Sequence, residues 1–546
     1  DLVSVTTPDA FNALGTKWDG GGADSLLSTA GNWDTDATPP FDGAWYFNFA
    51  SGGSVAAVNV PASMLGLRLY RDGDFTLGAG GGSLTVGASG VLAQSPNATS
   101  RTYTVASPLV LAADQCWGVT NTGGGTTTLL VSGPVSDGLA SFGIAKSGPG
   151  LLTLSGDNSY DGLTTMATGG AIRVASDHAL GSTNGATVVA SNAWLEVGGG
   201  VALAEPLTVG DAGALGAVRS TDGTNALCGR LTQAAPTRVR ALAGSRLALA
   251  GGVSGNYDLV LAPDAGGEVA VSNGAVSISS SRKVQATGAG VVGLGGSGHV
   301  FGTLEVANGT VRMEAANALG TAALSLGASG APGGTVDLNG FDQSVSQLKR
   351  GITAAGARAV TASRPATLTV AESASTTYDG QLGGALKLVL KASSSGNTLT
   401  LQNCTNTYSG ATVVSNGTLY LGAGACLRAS PEVVVAGGYL SIQNANDALG
   451  DTCTVRIADG GKVTIKSGVT ETVGSLYIAG SRKGRGTWGT TSSGADNPDD
   501  THFSGTGKLY VPEGAGTTWD AGGANTSINT DNNWDYDKSP AFDGSA

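Results

Sequence analysis

Short apolar runs recur along almost the whole chain, and they restrict it to a fold built from many brief strands. Each run is four to six residues long and ends at Gly, Asn, Asp or Ser. Many runs alternate apolar and polar residues, as in Gly417–Leu421, so that one face of the strand is buried. The Gly-Gly and Asn-Gly pairs between runs supply the positive φ angles of tight turns. Glycine accounts for 89 of 546 residues, more than twice the usual share of ~7%, which excludes an ordinary helical domain.

The spacing of the runs distinguishes between a sandwich, a propeller and a solenoid. Strand pairs recur every 20 to 30 residues, and no blade-like period of ~40 residues with a fixed signature is present. This spacing predicts an all-β fold of coils stacked into a β-helix, or β-solenoid. Aromatic residues make up only 5% of the chain, as expected if a narrow bore has no room for them. Short helices are expected at most around residues 9–14 and Ser63–Leu67.

Charge and hydropathy exclude two classes of partner. The formal net charge is −12, and no broad positive patch is available for phosphate groups, so nucleic acid is not expected as a partner. No run approaches the ~18 consecutive apolar residues of a membrane-spanning helix. We therefore expect no membrane span in this segment.

One long motif resembles a known repeat. It covers Ala145–Gly162 and continues into Gly169–Val174, and it is similar to the autotransporter-associated β-strand repeat of passenger domains. A looser copy runs through Asn406–Gly410 and into Asn416–Leu419. An Ala-Leu-Gly phrase also recurs before strands, at Ala179–Gly181, Ala318–Gly320 and Ala448–Gly450.

The resemblance implies a right-handed parallel β-helix that is exported and displayed outside a bacterial cell. It places the protein in the extracellular space or on the cell surface. Together with the coil spacing, it predicts one elongated rod with Trp-rich elements at the unit junctions.

A second repeat, much longer than the coils, links the two ends of the chain. Residues 11–45 reappear as residues 512–546 at a constant offset of 501, without a gap. We therefore predict a Trp-rich junction or capping element at residues 1–54, a β-solenoid at 55–511, and the start of the next repeat unit at 512–546. The candidate junction residues are five of the eight tryptophans, namely Trp18, Trp33, Trp45, Trp519 and Trp534.

Two arrangements explain this repeat, and both produce a fibre whose partners are copies of the chain itself. In the first, the chain is a segment of a longer polypeptide made of tandem units. In the second, separate subunits dock head to tail through the C-terminal copy. The first is favoured, because the second copy stops in the middle of the element, at Ala546, the position that matches Trp45.

Acidic residues at alternate positions form the best candidate metal site. Oxygen ligands with this spacing can wrap a calcium ion. Hydrogen bonding within turns is the favoured interpretation, calcium binding is the alternative, and no other cofactor is expected. The residues are Asn32, Asp34 and Asp36 in the first copy, and Asn533, Asp535 and Asp537 in the second.

The five cysteines are too few to hold the fold together by disulfides. Cys426 and Cys453 are separated by about one coil, so a bridge between adjacent coils is one interpretation of this pair. The favoured interpretation is that each cysteine is a small buried hydrophobe.

No pattern of catalytic residues is present. The three histidines lie far apart, no serine-nucleophile motif occurs, and the acidic residues do not recur at the spacing of a coil. We therefore predict a non-enzymatic structural protein that forms an extracellular or cell-surface fibre, with adhesion as a further role. One alternative is a carbohydrate-binding or polysaccharide-active β-helix protein, with host or surface glycans as partners. Another is a passenger adhesin that acts as a monomer.

Overall fold

The computed structural model describes residues 15–351, 358–403, 405–444 and 447–512 of the chain. Nearly all regular structure in these ranges is β-strand, and helix is limited to 3₁₀ turns at Ala30–Asn32, Gly213–Leu215 and Thr491–Ser493. The chain divides into two compact units, Asp1–Gly293 and Leu294–Ala546. The predicted all-β fold is confirmed in both.

Strands of the first unit are short and separated by turns. They are β1 (Gly15–Trp18), β2 (Tyr46–Phe49), β3 (Val55–Val58), β4 (Ala62–Tyr70), β5 (Phe75–Ala79), β6 (Leu84–Ser95), β7 (Arg101–Val105), β8 (Leu109–Leu111), β9 (Gln115–Asn121), β10 (Thr127–Val131), β11 (Val135–Ser136), β12 (Ile144–Ser147), β13 (Leu151–Leu154), β14 (Thr164–Met166), β15 (Ala171–Val174), β16 (Thr187–Val189), β17 (Trp194–Val197), β18 (Ala202–Leu203), β19 (Leu207–Val209), β20 (Val218–Ser220), β21 (Thr224–Leu227), β22 (Leu231–Gln233), β23 (Thr237–Ala241), β24 (Arg246–Leu249), β25 (Val253–Ser254), β26 (Leu259–Leu261), β27 (Glu268–Val271), β28 (Val276–Ser277), β29 (Lys283–Ala286) and β30 (Val291–Leu294), the last of which ends at the boundary.

Two sheets run along the first unit and a third begins at β18, and each takes one strand from each successive coil that it covers. The first sheet has the order β1-β2-β4-β6-β9-β12-β14-β16-β19-β22-β25-β28, with β8 joining β6 to β11. The second sheet has the order β3-β5-β7-β10-β13-β15-β17-β20-β23-β26-β29, and the third contains β18-β21-β24-β27. Neighbouring strands along these paths are parallel.

Strands of the second unit follow the same pattern until its C-terminal part. They are β31 (Thr303–Val306), β32 (Thr310–Met313), β33 (Ala323–Leu326), β34 (Thr335–Asp337), β35 (Gln343–Val345), β36 (Gln347–Arg350), β37 (Ala359–Val370), β38 (Thr376–Tyr378), β39 (Gln381–Lys391), β40 (Thr398–Leu401), β41 (Thr412–Asn416), β42 (Thr418–Leu421), β43 (Glu432–Val435), β44 (Tyr439–Ile442), β45 (Thr454–Ile457), β46 (Lys462–Ile465), β47 (Thr470–Thr472), β48 (Ser475–Ile478), β49 (Ser481–Arg482), β50 (Gly486–Gly489), β51 (Asn497–Pro498), β52 (Phe503–Gly505) and β53 (Lys508–Val511).

Parallel pairing dominates the second unit as well. Its sheets have the orders β31-β33-β36, β32-β34-β37-β39-β41-β43-β45-β48-β49, β38-β40-β42-β44-β46-β52 and β47-β53-β50-β51, with β35 joining β37. The pairing becomes antiparallel between β48 and β49 and between β50 and β53. The stack of parallel coils therefore gives way to hairpin-like pairing in the last part of the described chain.

The strand register sets the number of residues in each coil and places similar residues above one another. Leu152 pairs with Ile172, and Ile172 pairs with Leu195, so successive coils here contain 20 and 23 residues. These three side chains are fully buried and lie in one column of the core. Burial of each aliphatic side chain stabilises the fold by about 1.5–3 kcal/mol. The predicted parallel β-helix, with coils of 20 to 30 residues, is confirmed.

One detail of the sequence prediction is wrong. The segment Ser63–Leu67 is not helical, because it lies within β4 and contains both buried and partly exposed residues. The domain boundary after residue 54 stays a prediction. Strand β2 pairs in parallel with β4 across that boundary, in register from Tyr46–Gly66 to Phe49–Leu69.

Candidate functional site

The N-terminal element places two of its tryptophans inside the solenoid. Trp18 and Trp33 are 1% and 0% exposed and meet edge to face, with ring centroids 5.5 Å apart. Phe47 and Phe49 of β2 lie 5.3 and 6.2 Å from Trp33. Aromatic pairs at such distances contribute about 0.5–1.5 kcal/mol each beyond area burial. Rings therefore fill the bore of the first coils, and the expectation of a bore without room for aromatics is wrong here.

The same element covers the outer edge of the first strand. Strand β1 pairs with β2 along one edge only. On its other edge, the backbone N–H of Lys17 donates to Oδ1 of Asp34 at 3.2 Å, and the N–H of Asp34 donates to the carbonyl of Lys17 at 2.9 Å. The N–H of Asp19 donates to the carbonyl of Asn32 at 2.9 Å. These contacts occupy backbone groups that would otherwise be open to another strand.

Two of the three candidate calcium ligands of the first copy have a side-chain oxygen engaged in such contacts. Asn32 is fully buried; its Oδ1 accepts from the N–H of Gly22 at 3.0 Å, and its Nδ2 donates to the carbonyl of Leu26 at 3.0 Å. Asp34 accepts from Lys17 as described, and Asp36 has a positive φ of 48° within a turn. Calcium binding by this loop stays a prediction. The matching residues Asn533, Asp535 and Asp537 lie outside the described residues.

Trp45 differs from the other two tryptophans because it is 41% exposed. It lines an open cleft of about 240 Å³ together with Thr38, Pro39 and Pro40. The predicted junction residues are thus divided between the core and the surface. Trp519 and Trp534, the candidates of the second copy, lie outside the described residues.

The motif around Asn158 and Tyr160 binds three neighbouring turns together. Oδ1 of Asn158 accepts from the N–H of Val135 at 2.8 Å, and its Nδ2 donates to the carbonyl of Ala179 at 2.6 Å. The Tyr160 hydroxyl lies 2.7 Å from Oγ1 of Thr164, and both side chains are fully buried. Asparagine and tyrosine are needed here because they satisfy buried polar groups that water cannot reach.

The looser copy of the motif has the same geometry. Oδ1 of Asn406 accepts from the N–H of Leu382 at 2.9 Å, and its Nδ2 donates to the carbonyl of Cys426 at 3.0 Å. The Tyr408 hydroxyl lies 2.6 Å from Oγ1 of Thr412. The glycine two residues after each tyrosine touches the adjacent coil: a Cβ on Gly162 would lie 2.2 Å from backbone carbon of Phe142, and one on Gly410 would lie 2.3 Å from the carbonyl oxygen of Leu386.

Two of the three Ala-Leu-Gly phrases are held by a side-chain oxygen of the next coil. Glu471 is 1% exposed and accepts from the N–H groups of Ala448 at 3.0 Å and Leu449 at 2.5 Å. Oε1 of Gln343 accepts from the N–H of Leu319 at 3.2 Å in the same way. The phrase therefore marks a turn whose backbone is bound by a buried side chain about one coil further along the chain.

Several buried ionisable groups have shifted pKa values. Burial raises the pKa of Glu205 and of Glu372 to about 7. It also raises that of Glu471, against the two backbone hydrogen bonds that favour its charged form. Burial lowers the pKa of Lys146 to about 8, while its Nζ donates to the carbonyls of Ser147 and Gly148. Each of these groups lies in a turn or inner face of the solenoid.

The less favoured interpretation of this pair, a bridge between Cys426 and Cys453, is wrong. Cys453 is a free, buried thiol, and burial raises its pKa to about 12. Cys426 is disulfide-bonded, so its partner is not Cys453. Cys116 and Cys228 are also free thiols. For Cys453 the interpretation as a small buried hydrophobe is confirmed.

One functional candidate escaped the sequence analysis, which placed the aromatic residues at the unit ends. Trp194 lies far from those ends, on the outer face of β17, where it lines an open cleft of about 400 Å³. Its indole N–H donates to Oε1 of Glu196 at 3.2 Å. The sequence did contain a signal for this residue. The equivalent positions in the two preceding coils are Leu151 and Ala171, so that a tryptophan at the third position breaks the pattern.

The described ranges contain no candidate metal centre and no candidate membrane-spanning helix. No group of three or more His, Cys, Asp or Glu side chains there is arranged to hold a metal ion. In the same part of the chain, no helix has the length and apolar character needed to cross a membrane.

Comparison with known proteins agrees with the geometry of the two motifs. The passenger-associated-transport-repeat family matches residues 144–174 and 395–421, which contain both Asn-x-Tyr motifs. The "Adhesin BmaC autotransporter" of Brucella suis is 31% identical over 159 residues, which correspond to 28% of this chain and 4% of that adhesin. No solved structure matches the chain. The repeats, the β-solenoid and this similarity show that the chain resembles the β-helix passengers of autotransporters, and they indicate a location on or outside a bacterial cell.

Proposed function

We propose that the chain is a non-enzymatic structural segment of a surface protein, in which tandem β-solenoid units form a fibre with an adhesive role. One observation carries the proposal. The N-terminal element covers the edge of β1 with its own Asp34, and the sequence of this element returns at an offset of 501 residues. A unit that begins with its own cover can be repeated along one chain.

The contacts of Asp34 favour tandem units of one polypeptide over separate subunits that dock by pairing their edge strands. Docking by strand addition needs a row of free N–H and C=O groups on the edge strand. On the outer edge of β1, the N–H and carbonyl of Lys17 and the N–H of Asp19 already have partners within the element. An added strand would have to displace Asp34 and Asn32 first.

A structural role is supported by where the polar side chains are used. Asn158, Asn406 and Glu471 bind backbone groups of neighbouring coils. Groups committed to the scaffold in this way are unavailable for proton transfer to a substrate. Several outward arginines are also paired, for example Arg240 with Asp264 at 2.9 Å and Arg246 with Glu268 at 3.1 Å.

The adhesive part of the proposal rests on similarity to a protein that is itself named an adhesin. Because the chain matches 4% of that protein's length, the similarity supports a shared surface role and a shared scaffold. The same scaffold can carry different binding sites on its outer face.

Electron microscopy of the native material, beside a denaturing mass measurement of the intact polypeptide, tests the proposal. We expect filaments with an axial repeat of one unit, built from a chain several times heavier than the 53.5 kDa of this segment. Filaments built from subunits near that mass would contradict covalent tandem units and would support head-to-tail docking of separate subunits. Isolated rods without end-to-end contacts would contradict the fibre and favour a monomeric adhesin.

A further inference from the structure

An open cleft lies beside Trp194 on the outer face of the first unit. Its volume is about 400 Å³, within the range of small-molecule sites. Asn121, Thr128, Pro149, Leu151, Trp194 and Glu196 are among the residues that line it.

Strand register explains why a depression forms here. Thr128, Leu151, Ala171 and Trp194 occupy equivalent positions on the successive strands β10, β13, β15 and β17. Parallel strands are ~4.8 Å apart, so a small residue between two larger ones leaves a gap on the sheet surface. Ala171 is that small residue, and the indole of Trp194 stands as a wall at one end of the gap.

Neighbouring charged residues hold the indole in place. Oε1 of Glu196 accepts from the indole N–H at 3.2 Å and forms an ion pair with Arg219 at 3.1 Å. The Arg219 guanidinium lies 4.6 Å from the ring centroid. Arg219 lies on β20, which is the neighbour of β17 in the sheet. The residues that line the cleft lie on β17 or in the coils before it. The indole therefore stands between the guanidinium and the cleft, which preorganises it.

The chemistry of the cleft suits a sugar ring. An indole provides an apolar surface on which the C–H face of a pyranose can stack, and hydroxyl and carboxylate groups nearby can bind its hydroxyls. Thr128 supplies a partly exposed hydroxyl. The hydrogen bond from the indole and the ion pair with Arg219 both use Oε1 of Glu196, so that Oε2 is available to accept a hydrogen bond from a ligand.

The charges near the cleft favour a neutral ligand. Arg219 is engaged by Glu196, and the guanidinium of Arg173 is bound to Asp222 at 2.6 Å. An acidic sugar would meet the Glu196 carboxylate without a free cation opposite it. We propose that this cleft binds a neutral oligosaccharide, an inference that rests on the surface role proposed above and assigns it a ligand class.

The test is binding of neutral oligosaccharides by the intact protein and three variants. The probes are the β-1,4-linked hexamers of glucose and of N-acetylglucosamine, together with an array of neutral and sialylated glycans. Trp194→Ala removes the stacking wall, and Thr128→Arg fills the cleft but keeps the indole. Trp45→Ala is the matched control, because it removes an exposed tryptophan that lies elsewhere in the same unit.

We expect at least one neutral glycan to bind, with affinity reduced about tenfold or more by Trp194→Ala and by Thr128→Arg and unchanged by Trp45→Ala. Circular dichroism of each variant shows whether the solenoid is intact. If Trp194→Ala fails to fold, Thr128→Arg decides. Absence of neutral-glycan binding, binding of sialylated glycans alone, or equal affinity of intact protein and cleft variants would each overturn the proposal. Filament formation is scored separately by microscopy, so loss of binding with intact filaments contradicts the cleft and leaves the fibre standing.

Discussion

The two Asn-x-Tyr motifs share their local contacts and differ in what the following coil adds to them. In both, the asparagine binds backbone groups of two other turns, and the tyrosine hydroxyl meets a threonine four residues further on. In the first copy, the strand after Thr164 brings Thr187, whose hydroxyl donates to Oε1 of Glu205 at 2.6 Å. Oε2 of Glu205 is buried and has no hydrogen-bond partner.

The second copy closes its polar network without a carboxyl group. Oγ1 of Thr412 lies 3.0 Å from Oγ of Ser430, and the Ser430 hydroxyl reaches the carbonyls of Gly410 and Glu432, each at 3.1 Å. A serine hydroxyl can donate and accept at once, so this network is complete at any pH. The comparison indicates that the repeat specifies the Asn and Tyr contacts, whereas the next coil determines whether the network titrates.

The largest effect is expected when the shared asparagine is removed. Asn158→Ala leaves the N–H of Val135 and the carbonyl of Ala179 buried without their partner, and Asn406→Ala does the same to Leu382 and Cys426. Each unsatisfied buried group costs about 1–3 kcal/mol, so each variant should lose about 2–5 kcal/mol of local stability. Hydrogen exchange of peptides that cover the two motifs measures this loss.

Asn184→Ala is the control, since its side chain contacts Asp161 at an exposed site. It should change the stability by less than about 0.5 kcal/mol. If one of the motif variants behaved like this control, the two copies would not share the same structural role.

The asparagine and tyrosine contacts could be located from the sequence because they belong to a repeat whose residues recur at fixed spacing. The same holds for the columns of the core, where alternation identifies the inward residues such as Leu152 and Ile172. These features depend on contacts that are local or lie one coil away. The regular strand register repeats these contacts from one coil to the next.

Other features could not be predicted because they depend on which side chains of different coils meet. Glu205 has no motif of its own, and its position beside Thr187 follows from the register of β16. Trp18 and Trp33 are buried because the first coils have room for rings, which composition does not indicate. The exposure of Trp45 and the cleft beside Trp194 could not be predicted either, because both depend on how side chains of neighbouring coils pack.

A pH difference between the two copies is the second expected effect. The pKa of Glu205 is raised to about 7 in the folded protein from an unfolded value of 4.5. The folded state therefore binds the proton more tightly, and this stabilisation is complete below pH 4.5 and is lost as the pH rises through 7. The shift corresponds to at most about 3 kcal/mol. Exchange of peptides around residues 160–187 should accelerate between pH 5.5 and 8, beyond the intrinsic pH dependence of exchange.

Glu205→Gln should abolish that acceleration, because an amide does not titrate. Glu372 also has a pKa of about 7 and lies in the other unit, where it accepts from the N–H of Leu348. Glu372→Gln is therefore the matched control and should leave residues 160–187 unchanged. Persistence of the pH effect in Glu205→Gln would assign it to another group.

The smallest effect should come from removing the tyrosine hydroxyl, and it should be larger in the first copy. Tyr160→Phe takes away the hydrogen bond recorded for the buried Oγ1 of Thr164, whereas Tyr408→Phe leaves Thr412 bound to Ser430. A buried hydroxyl without a partner costs about 1–3 kcal/mol, while loss of one bond from a complete network costs about 0.5–1.5 kcal/mol. Hydrogen exchange of the same peptides measures both variants. If the Ser430 network accounts for the difference, Tyr408→Phe made in a Ser430→Ala background should cost as much, relative to Ser430→Ala alone, as Tyr160→Phe costs in the first copy. Equal losses in the two single variants would mean that Ser430 does not compensate, and the proposed distinction between the copies would fail.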